Sequence, residues 1–152
     1  MSAHAGFIQQ VQRNLVALIS VFIAVSSLSY NTWRNEKSEH NRNLRQASFE
    51  VLLKLGELRE LVYDLEYDRA VIARSAERSG WVTVFVIRDL ASVLEEPVPV
   101  AAESLFDTWA EHWDGLAARN PDGALDGSSR HAIEMDIDHL RDIALDMLQS
   151  LD

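Results

Sequence analysis

The sequence predicts an all-α fold: an N-terminal transmembrane helix followed by an antiparallel helical bundle of three to four helices. Three observations carry this prediction. Residues 15–30, LVALISVFIAVSSLSY, form a run of sixteen without a charge. Beyond that run, apolar residues recur at alternating steps of four and three, the period of a helix face. The one segment with strand character, residues 81–94, has no second strand to pair with, and an unpaired strand would leave its backbone groups unsatisfied. The chain divides accordingly into an N-terminal tail (1–14), a transmembrane helix (15–33), a polar helical neck (34–43) and an acidic helical bundle domain (44–152).

Sixteen helical residues at about 1.5 Å each reach roughly 24 Å. That is slightly short of a hydrocarbon core of ~30 Å, so the flanks must contribute. Phe7, Ile8 and Val11 extend the apolar face upstream, while Trp33, Arg34 and Lys37 suit the headgroup layer downstream. The rival reading is a cleaved secretory signal, with Ala24-Val25-Ser26 as a small-x-small cleavage site. Against it, Arg13 is the only basic side chain upstream, and the aromatic and basic residues that follow read as an interface anchor. Within the span, Ala17, Ser20, Ala24 and Ser27 recur at three-four-three spacing and draw one seam of small residues, a face that lets a second helix approach closely. Arg34, Lys37, Arg42 and Arg45 outweigh Arg13 and the terminal amine, so the positive-inside rule favours a cytoplasmic C-terminal domain over a periplasmic one.

The neck, NTWRNEKSEHNRN over residues 31–43, has no Gly or Pro to stop a helix and leaves the membrane as a solvated helix or a linker. In the first bundle helix Leu44, Ser48, Val51, Leu55, Leu58, Val62 and Leu65 form the stripe, and Phe49, Leu52 and Leu61 widen it toward more than one neighbour. Gly56 lies inside it at a cost of about 1 kcal/mol relative to Ala. Residues 81–94 are read as the second helix, between turns at Ser79-Gly80 and at Glu96-Pro97-Val98-Pro99. The third runs from about Val100 to Arg119, with Leu105, Trp109, Trp113 and Leu116 inward and Phe106 beside them. Asn120-Pro121-Asp122-Gly123 then turns, and Gly127-Ser128-Ser129 opens the last helix with a Ser able to cap it. There Ile133, Ile137, Leu140, Ala144, Met147 and Leu151 step by four and three. Four such helices pack at crossings near 20°; a three-helix bundle completed by dimerisation is the alternative.

All 24 acidic residues lie from Glu36 onward, against 12 basic ones there. A field of that sign repels phosphate backbones, so no nucleic-acid partner is expected. With no cysteine in the chain, disulfides, thiolate metal sites and cysteine catalysis are excluded.

The remaining candidates for chemistry are histidines and carboxylates. Asp136-x-x-His139 resembles half of a di-iron bundle site, but a second copy and two further inward carboxylates are not supplied at matching depth. Glu134, Asp136, Asp138, Asp142 and Asp146 read better as a solvated face partly relieved by Arg141. Glu111-His112 falls at the edge of the Trp stripe, and Trp81 and Trp109 could line a small pocket. Tyr63, Tyr67, Asp64, Asp68 and Arg69 read as local pairs one helical turn apart. No phosphate loop, nucleophile elbow, H-E-x-x-H or EF-hand spacing occurs. No catalytic residue, cofactor or metal is therefore expected.

The run NTWRNEKSEHNRNLRQASFEVL over residues 31–52, preceded by the short anchor, resembles a group of small uncharacterised proteobacterial single-pass inner-membrane proteins. The resemblance covers the anchor, neck and first bundle helix, and the acidic remainder only loosely. It implies a bacterial inner-membrane location and a helical domain, and it carries no activity. The expected function is a protein-interaction or accessory module without catalysis, whose partners are the lipid bilayer and a second copy or another membrane protein. The alternative is a periplasmic four-helix sensory module that binds a small ligand and acts through a partner.

Overall fold

No proline occurs before Pro97, and the first 67 residues hold only two glycines, Gly6 and Gly56, so nothing in that stretch enforces a helix break. In the computed structural model, which describes residues 2–67 and 73–151 and all their side chains except those of residues 2–9, 11–13, 66–67, 73–77 and 117, this stretch forms one α-helix, α1 (Ser2–Tyr67). The helix α2 spans Ala73–Ala91 and α3 spans Val98–His112, tightening into a 3₁₀ turn at Trp113–Ala117. The last helix, α4, spans Ser128–Ser150. Among the described residues there is no strand, only an isolated antiparallel bridge between Arg119 and Leu125.

The chain comprises two units, Met1–Asn41 and Arg42–Asp152. In the first, both the expected tail and the expected neck are helical, and every side chain from residue 14 to residue 40 is exposed. The second is a helical bundle with its own core. The remaining part of α1 supplies Leu44, Ser48, Val51, Leu55, Leu58 and Val62, at the expected steps of four and three. Val84, Ile87 and Ala91 enter from α2, and Val98, Ala101, Ala102, Leu105 and Trp109 from α3. Ile133, Ile137, Leu140 and Ala144 close the core from α4.

Four local expectations are corrected. Ser79-Gly80 does not turn, because α2 begins at Ala73 and carries Gly80 inside it. The glycine is there for close approach: a Cβ on it would overlap the edge of the Trp109 ring. The third helix stops short of Arg119. Ala118 turns extended (φ −65°, ψ 145°) and its carbonyl accepts from Asp126 N–H at 3.1 Å, which draws the chain into the loop. No serine caps α4. Gly127 takes the capping position at φ 62°, a left-handed conformation that favours glycine, and the Ser128 hydroxyl donates to Asp126 instead, at 3.0 Å. Finally, Phe49 does not widen the core stripe, being 58% exposed, while Leu52 and Leu61 are half-buried as expected.

Candidate functional site

The exposed apolar segment of α1 is the clearest candidate. An 18-residue window in α1 has a mean hydropathy of 1.7 and is entirely unburied, so among the described residues there is one helix long and apolar enough to cross a membrane, near the N-terminus. A signal sequence shares that length and composition. Leu15, Val16, Leu18, Ile19, Val21, Phe22, Ile23, Val25 and Leu28 all stand exposed. The small residues Ala17, Ser20, Ala24 and Ser27 are likewise exposed, and the Ser20 hydroxyl donates to the Val16 carbonyl at 2.8 Å. That bond satisfies the hydroxyl within its own helix, which suits an apolar medium. At the downstream end Tyr30 and Trp33 stand with ring centroids 6.1 Å apart, and the Lys37 ammonium lies 5.8 Å from the Trp33 ring. An aromatic body with a cation over its face is the composition of an interfacial anchor.

In the bundle, α2 and α3 meet through aromatic rings. Trp81 has Phe85, Phe106, Trp109 and Trp113 around it at centroid distances of 6.0, 5.9, 6.5 and 6.3 Å. The Arg88 guanidinium caps the layer 4.2 Å from Phe106 and 5.1 Å from Phe85, with Glu103 at 3.9 Å. Trp81 and Trp109 thus meet edge to face, with side chains filling the place where the sequence suggests a pocket. Trp109 is fully buried and its Nε1 has no hydrogen-bond partner, a cost of about 1–3 kcal/mol that ring packing offsets. Trp113 is only half-buried, and His112 stands half-buried beside the aromatic stripe.

The carboxylates of α4 are tied to neighbouring helices. Asp136 accepts from the Thr108 hydroxyl at 2.5 Å and from Ser104 at 3.3 Å, both on α3. Asp138 pairs with Arg59 of α1, and Glu134 takes the Tyr63 hydroxyl and lies 4.0 Å from Arg130. That bond and the Glu134 charge, with some desolvation, raise the Tyr63 phenol above its ordinary value, while Arg130 and Arg59 pull it down. The acidic face is therefore relieved by Arg59, Thr108 and Arg130 rather than by Arg141 as expected. Asp136 is committed to α3 and His139 is exposed, so the Asp136-x-x-His139 spacing brings no pair together. Among the described residues no group of three His, Cys, Asp or Glu side chains could hold a metal ion. Of the expected local cluster, Tyr63 bonds across to α4 instead; Asp68 and Arg69 lie outside the described residues, as does the Tyr67 side chain.

Comparison with known protein families, with curated proteins and with solved structures found no match. Besides the apolar segment of α1, the bundle exposes Phe49 and Leu53 on α1, Val82 and Phe85 on α2, Val100 on α3 and Met135 on α4. Sequence periodicity misses Phe49, because its neighbours Ser48 and Val51 belong to the buried stripe and an apolar residue between them groups with the core.

Proposed function

We propose that this chain is a single-pass membrane-anchored helical module that binds other proteins, by self-association or as an accessory subunit, and catalyses no reaction. The observation that supports it best is the fully exposed apolar stretch of α1 in a chain whose other unit has a complete core of its own. In this reading residues 15–33 span a bacterial inner membrane, Trp33, Arg34 and Lys37 mark the interface, and the acidic bundle lies in the cytoplasm. The seam Ala17, Ser20, Ala24 and Ser27 is offered to another membrane helix. The sensory alternative draws less support, because Trp81 and Trp109, the expected pocket walls, pack edge to face against each other.

The test is chemical cross-linking of the full chain in native membranes, with and without Ala24→Leu, after an alkaline wash. Retention of the 17.2 kDa chain in the pellet and a cross-linked band weakened by Ala24→Leu are expected. A shortened, washed-out product sinks the anchor, and an unchanged monomer band in both samples sinks self-association through the seam. A reporter fused after Asp152 that is active only in the periplasm would reverse the orientation.

A further inference from the structure

The outward side of the bundle part of α1 has a pattern of its own. Arg42, Gln46, Phe49, Leu53, Gly56 and Glu60 follow steps of four and three, and all six are exposed. This second stripe faces away from the core stripe on the same helix. At its centre Phe49 and Leu53 stand 58% and 68% exposed, one turn apart, directly before Gly56.

Gly56 is the informative residue. A glycine inside a helix lowers stability relative to alanine by about 1 kcal/mol, and a close neighbour that occupies the place of its missing side chain offsets that cost. Nothing among the described residues uses it: a Cβ built there has no heavy atom within 4 Å, and its backbone is ordinary helix. An open notch beside two exposed knobs is one half of a helix–helix contact.

The flanks say what covers it. With Gln46, Leu53 and Glu60 at the a positions of a heptad and Phe49 and Gly56 at d, the g positions are Arg45, Leu52 and Arg59, and the e positions are Glu50, Glu57 and Asp64. In a parallel in-register pair, g of one helix meets e of the next heptad on the other. Arg45 then faces Glu50 of the second copy and Arg59 its Asp64, while Arg42 and Glu60, which meet their own copies, lie at the solvated ends of the contact. An antiparallel pair would set arginine against arginine and glutamate against glutamate. The two arginines are already held on this flank, Arg45 by the Leu151 carbonyl at 2.7 Å and Arg59 by Asp138. Between them Leu52, Gly56 and Arg59 edge a hollow of about 70 Å³ with Ile137 and Arg141 of α4, a recess beside the seam for an incoming side chain.

From the unused Gly56 notch, the exposed Phe49 and Leu53, and the one-sided sorting of charge, we infer that this face of α1 docks a second copy of the same chain, parallel and in register. The inference rests on the reading of the protein as an interaction module and names its partner at this surface.

Because the chain has no cysteine, single introduced thiols report the contact directly. Gln46→Cys and Glu60→Cys sit at a positions on either side of the centre and leave Phe49, Leu53 and Gly56 intact. Oxidation of the full-length variants in native membranes should give a disulfide dimer with each alone, and none with Val100→Cys, exposed on α3. Adding Gly56→Glu, which starts in open space and sets like charges against each other at the centre of the seam, should cut the dimer yield at position 46 at least tenfold. Circular dichroism identical to the parent would show that the fold is kept. Linkage only in a mixture of the 46 and 60 variants would mean antiparallel docking and overturn the proposal. A yield indifferent to Gly56→Glu would overturn it as well. If copies still cross-link in an Ala24-dependent way while positions 46 and 60 stay unlinked, this inference fails and the interaction reading stands; a chain monomeric throughout and without a co-purifying protein defeats both.

Discussion

Two glycines inside helices carry opposite meanings here, and a single substitution at each tells them apart. At Gly80 an added methyl would overlap the edge of the Trp109 ring, which is fully buried and held by Trp81. Neither the ring nor the α2 backbone can move without disturbing the aromatic layer. Gly80→Ala should therefore lower stability by about 1–3 kcal/mol, the usual cost of overpacking, although alanine is the better helix former. At Gly56 the same methyl meets open space. Gly56→Ala should raise stability by up to about 1 kcal/mol, since only helix propensity and unfolded-chain entropy change. Urea denaturation of the two variants checks both signs. Equal effects would mean that the Trp109 contact does not constrain α2.

At the scale of elements, α1 and α4 are joined by a core stripe and by a row of polar ties along one flank. Arg45 reaches the Leu151 carbonyl, Ser48 lies 3.9 Å from the Met147 sulfur, Arg59 meets Asp138 and Tyr63 meets Glu134. Exposed ion pairs contribute about 0–1 kcal/mol each, so burial of residues such as Leu55, Leu58 and Ile137 sets the stability, and the ties set which flank faces α4. The Tyr63 tie has a measurable signature. Its phenol is raised in the folded state, first by the hydrogen bond to Glu134 and then by that carboxylate's charge. The bond's contribution is thus complete below the unfolded tyrosine value near 10 and is lost as pH rises through the higher folded value. Denaturation followed across the alkaline range should show the wild type losing stability there, with Tyr63→Phe losing less over the same interval and starting slightly lower at neutral pH. Parallel pH profiles would remove the bond from the account. Such ties leave no mark in the sequence. The stripe from Leu44 to Val62 repeats with the helix period and is legible from the residue order alone, whereas the partner of Tyr63 depends on which helix lands beside it. Gly80 misleads for the same reason: Ser-Gly signals a turn locally, and only the arrival of Trp109 makes the glycine a helix contact. At the candidate site, the exposed apolar run is legible from hydropathy, but Phe49 is hidden beside a core stripe that it does not join.

For the whole molecule, the division into Met1–Asn41 and Arg42–Asp152 separates two solvent requirements within one chain. Nine large apolar side chains exposed between residues 15 and 28 represent, at about 1.5–3 kcal/mol each, a burial energy of roughly 14–27 kcal/mol. That matches or exceeds the entire net stability of a typical domain, about 5–15 kcal/mol, so this segment cannot stay uncovered in water. The bundle unit has the reverse property, because its buried stripe already begins at Leu44 and its surface is strongly acidic. A fragment of residues 42–152 should therefore be soluble without detergent, helical, and unfold in one cooperative step with a urea slope of about 1–3 kcal/mol per molar. The full chain should require detergent or lipid. Starting the fragment at residue 53 removes Leu44, Ser48 and Val51 and opens one end of the core. At about 2–5 kcal/mol for each large buried aliphatic side chain deleted, the shorter fragment should lose the cooperative transition. Sedimentation and circular dichroism on the two fragments decide the matter: equal behaviour, folded or unfolded, would mean that the first two turns of the buried α1 stripe do not belong to the bundle's cooperative unit.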